Sequence, residues 1–507
     1  MVVQHNMQAA NANRMLNVTT SAQSKSTEKL SSGYRINRAA DDAAGLTISE
    51  KMRKQIRGLD QASTNAQDGV SSVQTAEGAL TEVHSMLQRM NELATQAANG
   101  TNSKDSDRQA IQDEIDQLTT EIDRVSETTK FNETYLLKGD KGIKTINMKA
   151  HDAGLKGELT DNGDGTATFT MSELNTGDKV SIAGKTYTIG STVDDAKALI
   201  KAPDAGTVDV KIGDKTFKIT NTGEVQDADG NKLYVETSKG TSTGAAAFST
   251  TAKLTTAAKY KDDQDAEQAN TAVTVDNLKE YVSGGTTVKV GTKSVKAMVD
   301  DGTDGVDDND ATVITKEKAY ELAGNALLQA NSIGDTKGNA EVKNADGTAL
   351  SHTAGVGNGS FKIKVGKADV ANSLAFSLHV GADADMTNKI QVNIDAMDSA
   401  SLGIKGLNVK DDSGNAATYA VDAISDAISK VSSQRSSLGA VQNRLEHTIN
   451  NLDNVVENTT TAESRIRDTD MAEEMVNYSK NNILAQAGQS MLAQANQSTQ
   501  GVLSLLQ

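Results

Sequence analysis

Few residues of this chain are spaced for catalysis. Its six histidines are scattered at His5, His84, His151, His352, His379 and His447, and none lies in a His-Glu-x-x-His zinc motif. The chain has no cysteine, which excludes disulfides, thiolate metal sites and cysteine nucleophiles. It also lacks a Gly-x-Ser-x-Gly nucleophile elbow, a phosphate-binding P-loop and a dinucleotide fingerprint. We therefore expect no enzymatic activity and no cofactor.

Two acidic segments, residues 161–165 and 300–310, carry enough carboxylates to suggest a cation site. A calcium loop of the EF-hand type needs glycine at its sixth position and glutamate at its twelfth. Counted from Asp300, Gly305 fits the sixth position, but Ala311 stands at the twelfth. The pattern favours solvated acidic turns, and we expect no bound metal.

The strongest pattern is a 3.5-residue spacing of small and apolar residues near both ends of the chain. It runs through residues 66–97, and again through residues 424–456, where it is broken only at Arg435 and Gln442. Such spacing is typical of a long helix packed against other long helices. Because the two seams lie near opposite ends of the sequence, we expect the ends to fold back on each other. This design favours a part for assembly over a catalyst.

The extreme ends show helical spacing but little apolar content. Segments of this kind rarely fold as isolated helices. We expect residues 1–30 to order on docking, with a permanently disordered tail as the alternative. The last residues form a short apolar run, which is an association surface when exposed. The predicted polymerisation seam consists of Val3, Met7, Ile483, Ala487, Met491, Val502, Leu503, Leu505 and Leu506.

The middle of the chain is different in kind, being rich in Gly, Thr, Asp and Lys. An alternating strand, a turn with glycine, a lysine and a second strand recur three times, which predicts β-hairpins. We also expect short helices, two later strands, and one or two small α+β domains. The hairpins are at 180–189, 210–219 and 288–295, the helices near 192–202, 275–282 and 315–330, and the strands at 376–380 and 390–394.

The composition and charge of the chain exclude some classes of binding partner. The net charge is −17 and the sequence pI is about 4.9, which argues against a general nucleic-acid binder because such proteins need a basic face. No run reaches the 18 or so apolar residues of a membrane span, so we expect no membrane insertion. The first residues lack the features of a cleaved signal peptide, so we expect any export to use another route.

Several motifs resemble the signatures of bacterial flagellin. The N-terminal signature is similar to LSSGYRIN at 30–37, DDAAG at 41–45, QASTNAQDG at 61–69 and EGAL at 77–80. The C-terminal signature is similar to SLGAVQNRL at 437–445, SRIRD at 464–468 and LAQAN at 492–496. The resemblance is dense and collinear. It covers roughly residues 1–145 and 373–507, and the middle carries none.

The resemblance implies an α+β fold: a long antiparallel helical coiled-coil bundle from the paired termini, with a central β-rich variable insert. Residues 1–45 and 456–507 would form the terminal coiled coil that lines the filament core. Residues 46–150 and 373–455 would form a helical rod domain with a small β part, and residues 151–372 the variable outer domains, rich in β-hairpins.

The implied function is that of a structural subunit, which polymerises into the extracellular flagellar filament for swimming motility. A hook–filament junction protein of the same axial structure is the alternative. A secreted adhesin or enzyme with its activity in the middle domain is a more distant one. The implied partners are further copies of the chain, a flagellar export chaperone serving type III export, the filament cap, hook–filament junction proteins and the host Toll-like receptor for flagellin.

Five residues match the positions that face this receptor in the family: Gln88, Arg89, Leu93, Gln96 and Glu114. Arg89, Leu93 and Gln96 share a stripe at i, i+4 and i+7. The stripe flanks the seam, so we expect Leu93 to lie at the edge of the core with polar surroundings. Packing against a neighbouring subunit is the other use of this patch, and both remain open.

Overall fold

The computed structural model describes most of the chain between residues 6 and 504. Residues 1–5, 100, 102, 104–105, 237–252, 262–266, 354–357, 412–413 and 505–507 lie outside the described residues, as do the side chains of 499 and 502–504. The helices are α1 (Met7–Ser32), α2 (Ala43–Ala97), α3 (Asp107–Thr128), α4 (Val193–Ala198), α5 (Val275–Lys279), α6 (Lys316–Asn331), α7 (Ser399–Leu402), α8 (Asn415–Arg467) and α9 (Met471–Ser504).

The strands are short and lie mostly in the middle of the chain. They are β1 (Lys130–Phe131), β2 (Thr134–Tyr135), β3 (Asp140–Asn147), β4 (Gly157–Asp161), β5 (Thr166–Met171), β6 (Lys179–Ile182), β7 (Lys185–Ile189), β8 (Thr207–Ile212), β9 (Lys215–Thr220), β10 (Val225–Gln226), β11 (Tyr234–Val235), β12 (Leu254–Thr255), β13 (Lys259–Lys261), β14 (Glu267–Ala269), β15 (Thr271–Ala272), β16 (Thr287–Val290), β17 (Lys293–Lys296), β18 (Val306–Asp307), β19 (Asp310–Ile314), β20 (Glu341–Asn344), β21 (Ser360–Lys364), β22 (Lys367–Asn372), β23 (Leu374–His379) and β24 (Lys389–Ile394).

The chain divides into two compact units. The first contains Met1–Gly78, Ala375–Ile394 and Gln434–Gln507, and the second contains Ala79–Leu374 and Asp395–Ser433. Each unit therefore combines segments from both halves of the sequence, as the paired seams predict. The long helices α2 and α8 each contribute to both units.

In the first unit, the hairpin of β23 and β24 packs on the long helices. Val380 and Ile390 from the hairpin region share a buried cluster with Ala66 of α2 and Leu445 of α8. Gly69 leaves room for this approach, because a Cβ atom there would collide with Cδ1 of Leu378 and that side chain would have to move. The two strands predicted at 376–380 and 390–394 are confirmed as β23 and β24.

In the second unit, the predicted seams form the helical core. The α2 residues Leu80, Val83, Leu87, Met90, Ala94 and Ala97 are fully buried, as are Ile424 and Val431 of α8.

Helix α2 begins well before residue 66, where the apolar spacing starts. The carboxylate of Asp42 accepts the Gly45 amide at 2.9 Å, which satisfies an otherwise open donor at the start of the helix.

The side chain of Arg108 forms hydrogen bonds at the end of this helical core. Its buried guanidinium donates to the backbone carbonyls of Ala97 at 2.9 Å, Asn99 at 3.4 Å and Asp411 at 2.8 Å. The first two carbonyls lie at the carboxyl end of α2, where backbone acceptors have no partner within the helix. One side chain thus joins the end of α2 to the segment that precedes α8.

The central insert has two separate apolar cores. The first is centred on Phe169 and Phe361, which stack with ring centres 6.4 Å apart. It lies among the sheets β4–β5–β21–β20 and β6–β7–β19–β18 and the helix α6. The second core contains Phe217 and Val288 and lies against the sheet β10–β9–β8–β16–β17. The three predicted hairpins and three short helices are confirmed.

Tyr419 carries an unpaired hydroxyl in the first core. The residue is 3% exposed, its hydroxyl oxygen has no hydrogen-bond partner among the described residues, and burial raises the pKa of its phenol to about 12. We expect Tyr419→Phe to raise the stability of this core by about 1 kcal/mol, because an unpaired buried hydroxyl costs roughly that much or more. Calorimetric melting measures it. Tyr419→Leu, which also removes the ring, should destabilise. A lower melting temperature for Tyr419→Phe would mean that the hydroxyl is paired.

Candidate assembly and recognition surfaces

The connection between α1 and α2 is bonded directly to the connection between α8 and α9. Tyr34 and Asp468 form an antiparallel bridge. The amide of Arg35 donates to the carbonyl of Arg467 at 2.7 Å, and the amide of Thr469 donates to the carbonyl of Gly33 at 3.0 Å. We call these residues, 33–35 with 467–469, the clasp. Gly33 has a φ of +77°, a left-handed conformation that glycine adopts without strain.

Side chains reinforce the clasp. The guanidinium of Arg467 lies 4.7 Å from the ring centre of Tyr34, within the range of a cation–π contact. The same side chain lies 2.9 Å from Oε1 of Glu50, and this hydrogen bond is the main reason that the pKa of Glu50 is lowered. The guanidinium of Arg35 donates to the Arg465 carbonyl at 3.2 Å. Arg467 therefore contacts Glu50 near the start of α2 and Tyr34 in the connection that precedes α2.

Beyond the clasp, α1 and α9 run antiparallel against each other. The order of their contacts is reversed along the two helices. Among the described side chains of the pair, only Ser26, Glu474 and Ala485 are buried, so the pair has almost no core of its own. The polar contacts join Asn6 to Ala495, Gln23 to Asn482 and Lys29 to Glu474.

The pair instead exposes large apolar side chains. Of the predicted polymerisation seam, Met7, Ile483 and Met491 are 72%, 67% and 63% exposed, and Ala487 is exposed as well. Val3, Leu505 and Leu506 lie outside the described residues, and the side chains of Val502 and Leu503 are not described. Other large apolar side chains of the two helices, which the predicted seam did not include, are exposed as well: Met15, Val18, Met471, Met475, Val476 and Leu484.

The second predicted site centres on Arg89, which bridges α2 and α3. Its Nε lies 2.9 Å from Oε1 of Glu114 and its Nη1 lies 3.2 Å from Oε2 of Glu92. The bond to Glu114, followed by the bond to Glu92, raises the pKa of Arg89. The structure thus brings the predicted Arg89 and Glu114 together. It adds Glu92, which the i, i+3 spacing from Arg89 could have indicated.

Leu93 lies elsewhere than expected. Its side chain is only 2% exposed, whereas Gln88, Arg89 and Gln96 are exposed. The prediction that Leu93 lies at the edge of the core was wrong. The apolar stripe of a helix is wider than a strict 3.5-residue seam and includes a flanking position. Leu93, three residues after Met90 and four before Ala97, occupies that position.

The acidic turns use their carboxylates locally. Asp300 accepts the amides of Asp304 and Gly305, each at 3.0 Å, and Asp161 accepts the amide of Gly163 at 2.8 Å. In the part of the chain that the structure describes, no three His, Asp or Glu side chains are grouped to hold a metal ion. Among the same residues, no helix combines the length and apolarity that a membrane crossing requires.

The chain is similar to known proteins over its whole length. Residues 3–142 match the family model of the bacterial flagellin N-terminal helical region, and residues 421–506 match that of the C-terminal helical region. Flagellin of Clostridium tyrobutyricum is 38% identical over 503 residues, covering 99% of this chain and 100% of that protein.

Two further relatives agree. Flagellin of Bacillus subtilis (strain 168) is 34% identical over 507 residues, covering 100% of both chains. Flagellin of Salmonella choleraesuis (strain SC-B67) is 34% identical over 542 residues, covering 97% of this chain and 96% of that protein. Because the likeness extends over nearly the full length of each pair and includes both helical ends, the chain belongs to the flagellin family, whose members are the structural subunits of the bacterial flagellar filament.

Proposed function

We propose that this flagellin polymerises through the apolar side chains that α1 and α9 expose, and that the polymer is an extracellular filament used for swimming. The observation that carries the proposal is the exposure of Met7, Ile483 and Met491 on a helix pair that has almost no core. Exposed apolar surface of this kind marks an interaction site. Burying one such side chain contributes about 1.5–3 kcal/mol, from which the cost of ordering must be subtracted.

The proposal assigns three layers to the chain. Residues 1–45 and 456–507 line the filament core, residues 46–150 and 373–455 form the surrounding rod domain, and residues 151–372 project outward. The layering is supported by the change from long helices to short strands that follows the end of α3 at Thr128. The proposed assembly partners are an export chaperone, the filament cap and the hook–filament junction proteins. We assign the chain no catalytic role.

Shearing separates this proposal from its alternative. If the chain forms the filament, it should be the major protein of the filaments that are sheared from cells and pelleted. A hook–filament junction protein would be a trace component of the same pellet, and a free adhesin or enzyme would remain in the supernatant. Either of these two results would contradict the proposal.

The terminal seam can be tested with a matched control. We expect Ile483→Ser combined with Met491→Ser to raise the critical concentration for polymerisation roughly 100-fold, because each loses about 1.5 kcal/mol or more of apolar burial. Sedimentation of seeded polymer measures it. Ile143→Ser is the control, since Ile143 is 76% exposed on β3 in the other unit. It should polymerise normally. Unchanged polymerisation of the double variant would exclude the predicted seam.

We also propose that the exposed group around Arg89 is read by the host Toll-like receptor for flagellin. The group comprises Gln88, Arg89, Gln96 and Glu114, and the ion pair between Arg89 and Glu114 holds the guanidinium at the surface. Because Leu93 is buried, its proposed part is to support α2 from within. How strongly the monomer activates the receptor also depends on the terminal segments.

This recognition proposal predicts that Arg89→Ala weakens binding of the purified monomer to the receptor ectodomain by about 2 kcal/mol, a cost typical of an interface arginine. Arg124→Ala is the control, because Arg124 makes an equally exposed ion pair with Glu121 on α3. Titration of both variants in one binding assay compares them. Equal losses would show that general charge, rather than this patch, governs binding.

A further inference from the structure

One sheet of the insert has two unlike faces. In the order β10–β9–β8–β16–β17, one face carries Val210, Ile212, Phe217 and Val288, which belong to the second core. Residues of alternate parity point to the opposite face. That face carries lysines at positions 211, 218, 289 and 296, of which Lys211, Lys289 and Lys296 are exposed and Lys218 is half-buried. We call these four residues the lysine stripe.

The strand register places the stripe on a diagonal, with one lysine on each of four adjacent strands. Lys211 of β8 is directly opposite Lys289 of β16. Lys218 of β9 is opposite Asp209, one two-residue step from Lys211. Lys296 of β17 is opposite Thr287, one two-residue step from Lys289 in the other direction. Three strand spacings and two such steps make the diagonal about 20 Å long.

The charges of the stripe are only partly balanced by neighbours, since one carboxylate, that of Asp209, is opposite Lys218. Directly opposed like charges such as Lys211 and Lys289 destabilise a sheet. Among the described residues, no carboxylate forms an ion pair with Lys211, Lys289 or Lys296, and Lys218 donates to the carbonyl of Ala228 at 2.8 Å. Across the five strands, Asp209 is the only acidic residue. This basic face occurs in a chain whose net charge is −17.

A second sheet shows how the same chain balances such lysines. Lys343 of β20 is opposite Lys362 of β21, again a pair of like charges. There, however, Lys343 pairs with Glu341 at 2.6 Å. Lys364 is opposite the same Glu341, and the charge of Lys362 helps to lower the pKa of Asp164. The lysines of this second sheet therefore have carboxylates nearby, whereas no described carboxylate pairs with Lys211, Lys289 or Lys296.

We propose that the lysine stripe binds an extended anionic polysaccharide that carries sulfate or carboxylate groups. A nearly straight row of cations on an open sheet can follow a chain with regularly spaced anions. Thr216 and Ser294 lie in the same row as Lys211 and Lys289 and offer hydroxyls that can bond sugar hydroxyls. The face carries no aromatic side chain in these strands, so it lacks the stacking platforms that single-stranded nucleic acids use.

Each lysine alone should contribute little to the affinity for the polysaccharide, and the four lysines together should contribute much more. Each lysine near an anionic surface increases affinity by a factor of about five, and salt screens the attraction over a Debye length of about 10 Å at 0.1 M. Bound anions also relieve the repulsion between Lys211 and Lys289. Binding should therefore raise the melting temperature of this part of the protein.

The test compares two double variants of the full chain that lose equal charge. Lys211→Thr with Lys289→Thr removes the centre of the stripe, and Lys362→Thr with Lys364→Thr removes balanced strand lysines. Threonine suits strands, and circular dichroism checks folding. Fluorescence anisotropy with labelled dextran sulfate at low salt measures affinity, and neutral dextran is the uncharged probe. We expect the stripe variant to bind dextran sulfate about 25-fold more weakly and the other variant to bind as the parent does.

Three results would overturn the proposal. Equal weakening in both variants would show attraction to charge in general, and unchanged binding in the stripe variant would place the site elsewhere. Tighter binding of poly(dT) than of dextran sulfate with the same number of charges would assign the face to a nucleic acid. Polymerisation is measured separately and should not differ between the two variants, so failure here leaves the proposed filament function untouched.

Discussion

The clasp between residues 33–35 and 467–469 is the constraint on which the terminal structure depends. It joins backbone groups that are more than four hundred positions apart in sequence. Ser26 is the only buried residue of α1, so packing alone aligns this helix poorly with α9. The clasp fixes where α1 ends and where α9 begins. Once it has formed, the two helices are already close together, so their pairing no longer carries the entropy cost of closing so long a loop. The cation–π contact of Arg467 with Tyr34 and its bond to Glu50 add side-chain specificity.

Stability and association surface consequently lie on different parts of the chain. The seam from Leu80 to Ala97 is buried, and burial there contributes to the stability of the single chain. Along α1 and α9 the large apolar side chains remain exposed, and their burial can contribute only when something else covers them. A helix pair that satisfied its apolar groups internally would have little left for association. The weak sequence of the ends is thus consistent with a surface that is completed from outside.

Much of this structure could be predicted from the spacing of apolar residues along the sequence. The 3.5-residue seams identified α2 and α8, and alternation with glycine turns identified the hairpins, because both signals are local. The burial of Leu93 was not predicted, because a 3.5-residue seam includes only two positions of each seven-residue repeat, whereas the buried stripe of a helix is wider. The clasp was missed because its bonds are mostly between backbone groups, which leave no pattern in sequence. The lysine stripe was missed because it depends on the register between strands as distant as β8 and β16.

The net charge of the chain likewise does not predict the charge of a local binding surface. A total of −17 describes the mean field that a distant partner meets, but beyond about 10 Å that field is largely screened at 0.1 M salt. At contact, a partner meets one face of one sheet, and the exposed face of the sheet of β8, β9, β16 and β17 is basic whatever the total charge. The lysines lie on the exposed face of the sheet, opposite its core, and this core shares no buried residue with the core around Phe169. Changes on the outer face therefore need not disturb the helices, so the chemistry of the insert is free to differ from that of the ends.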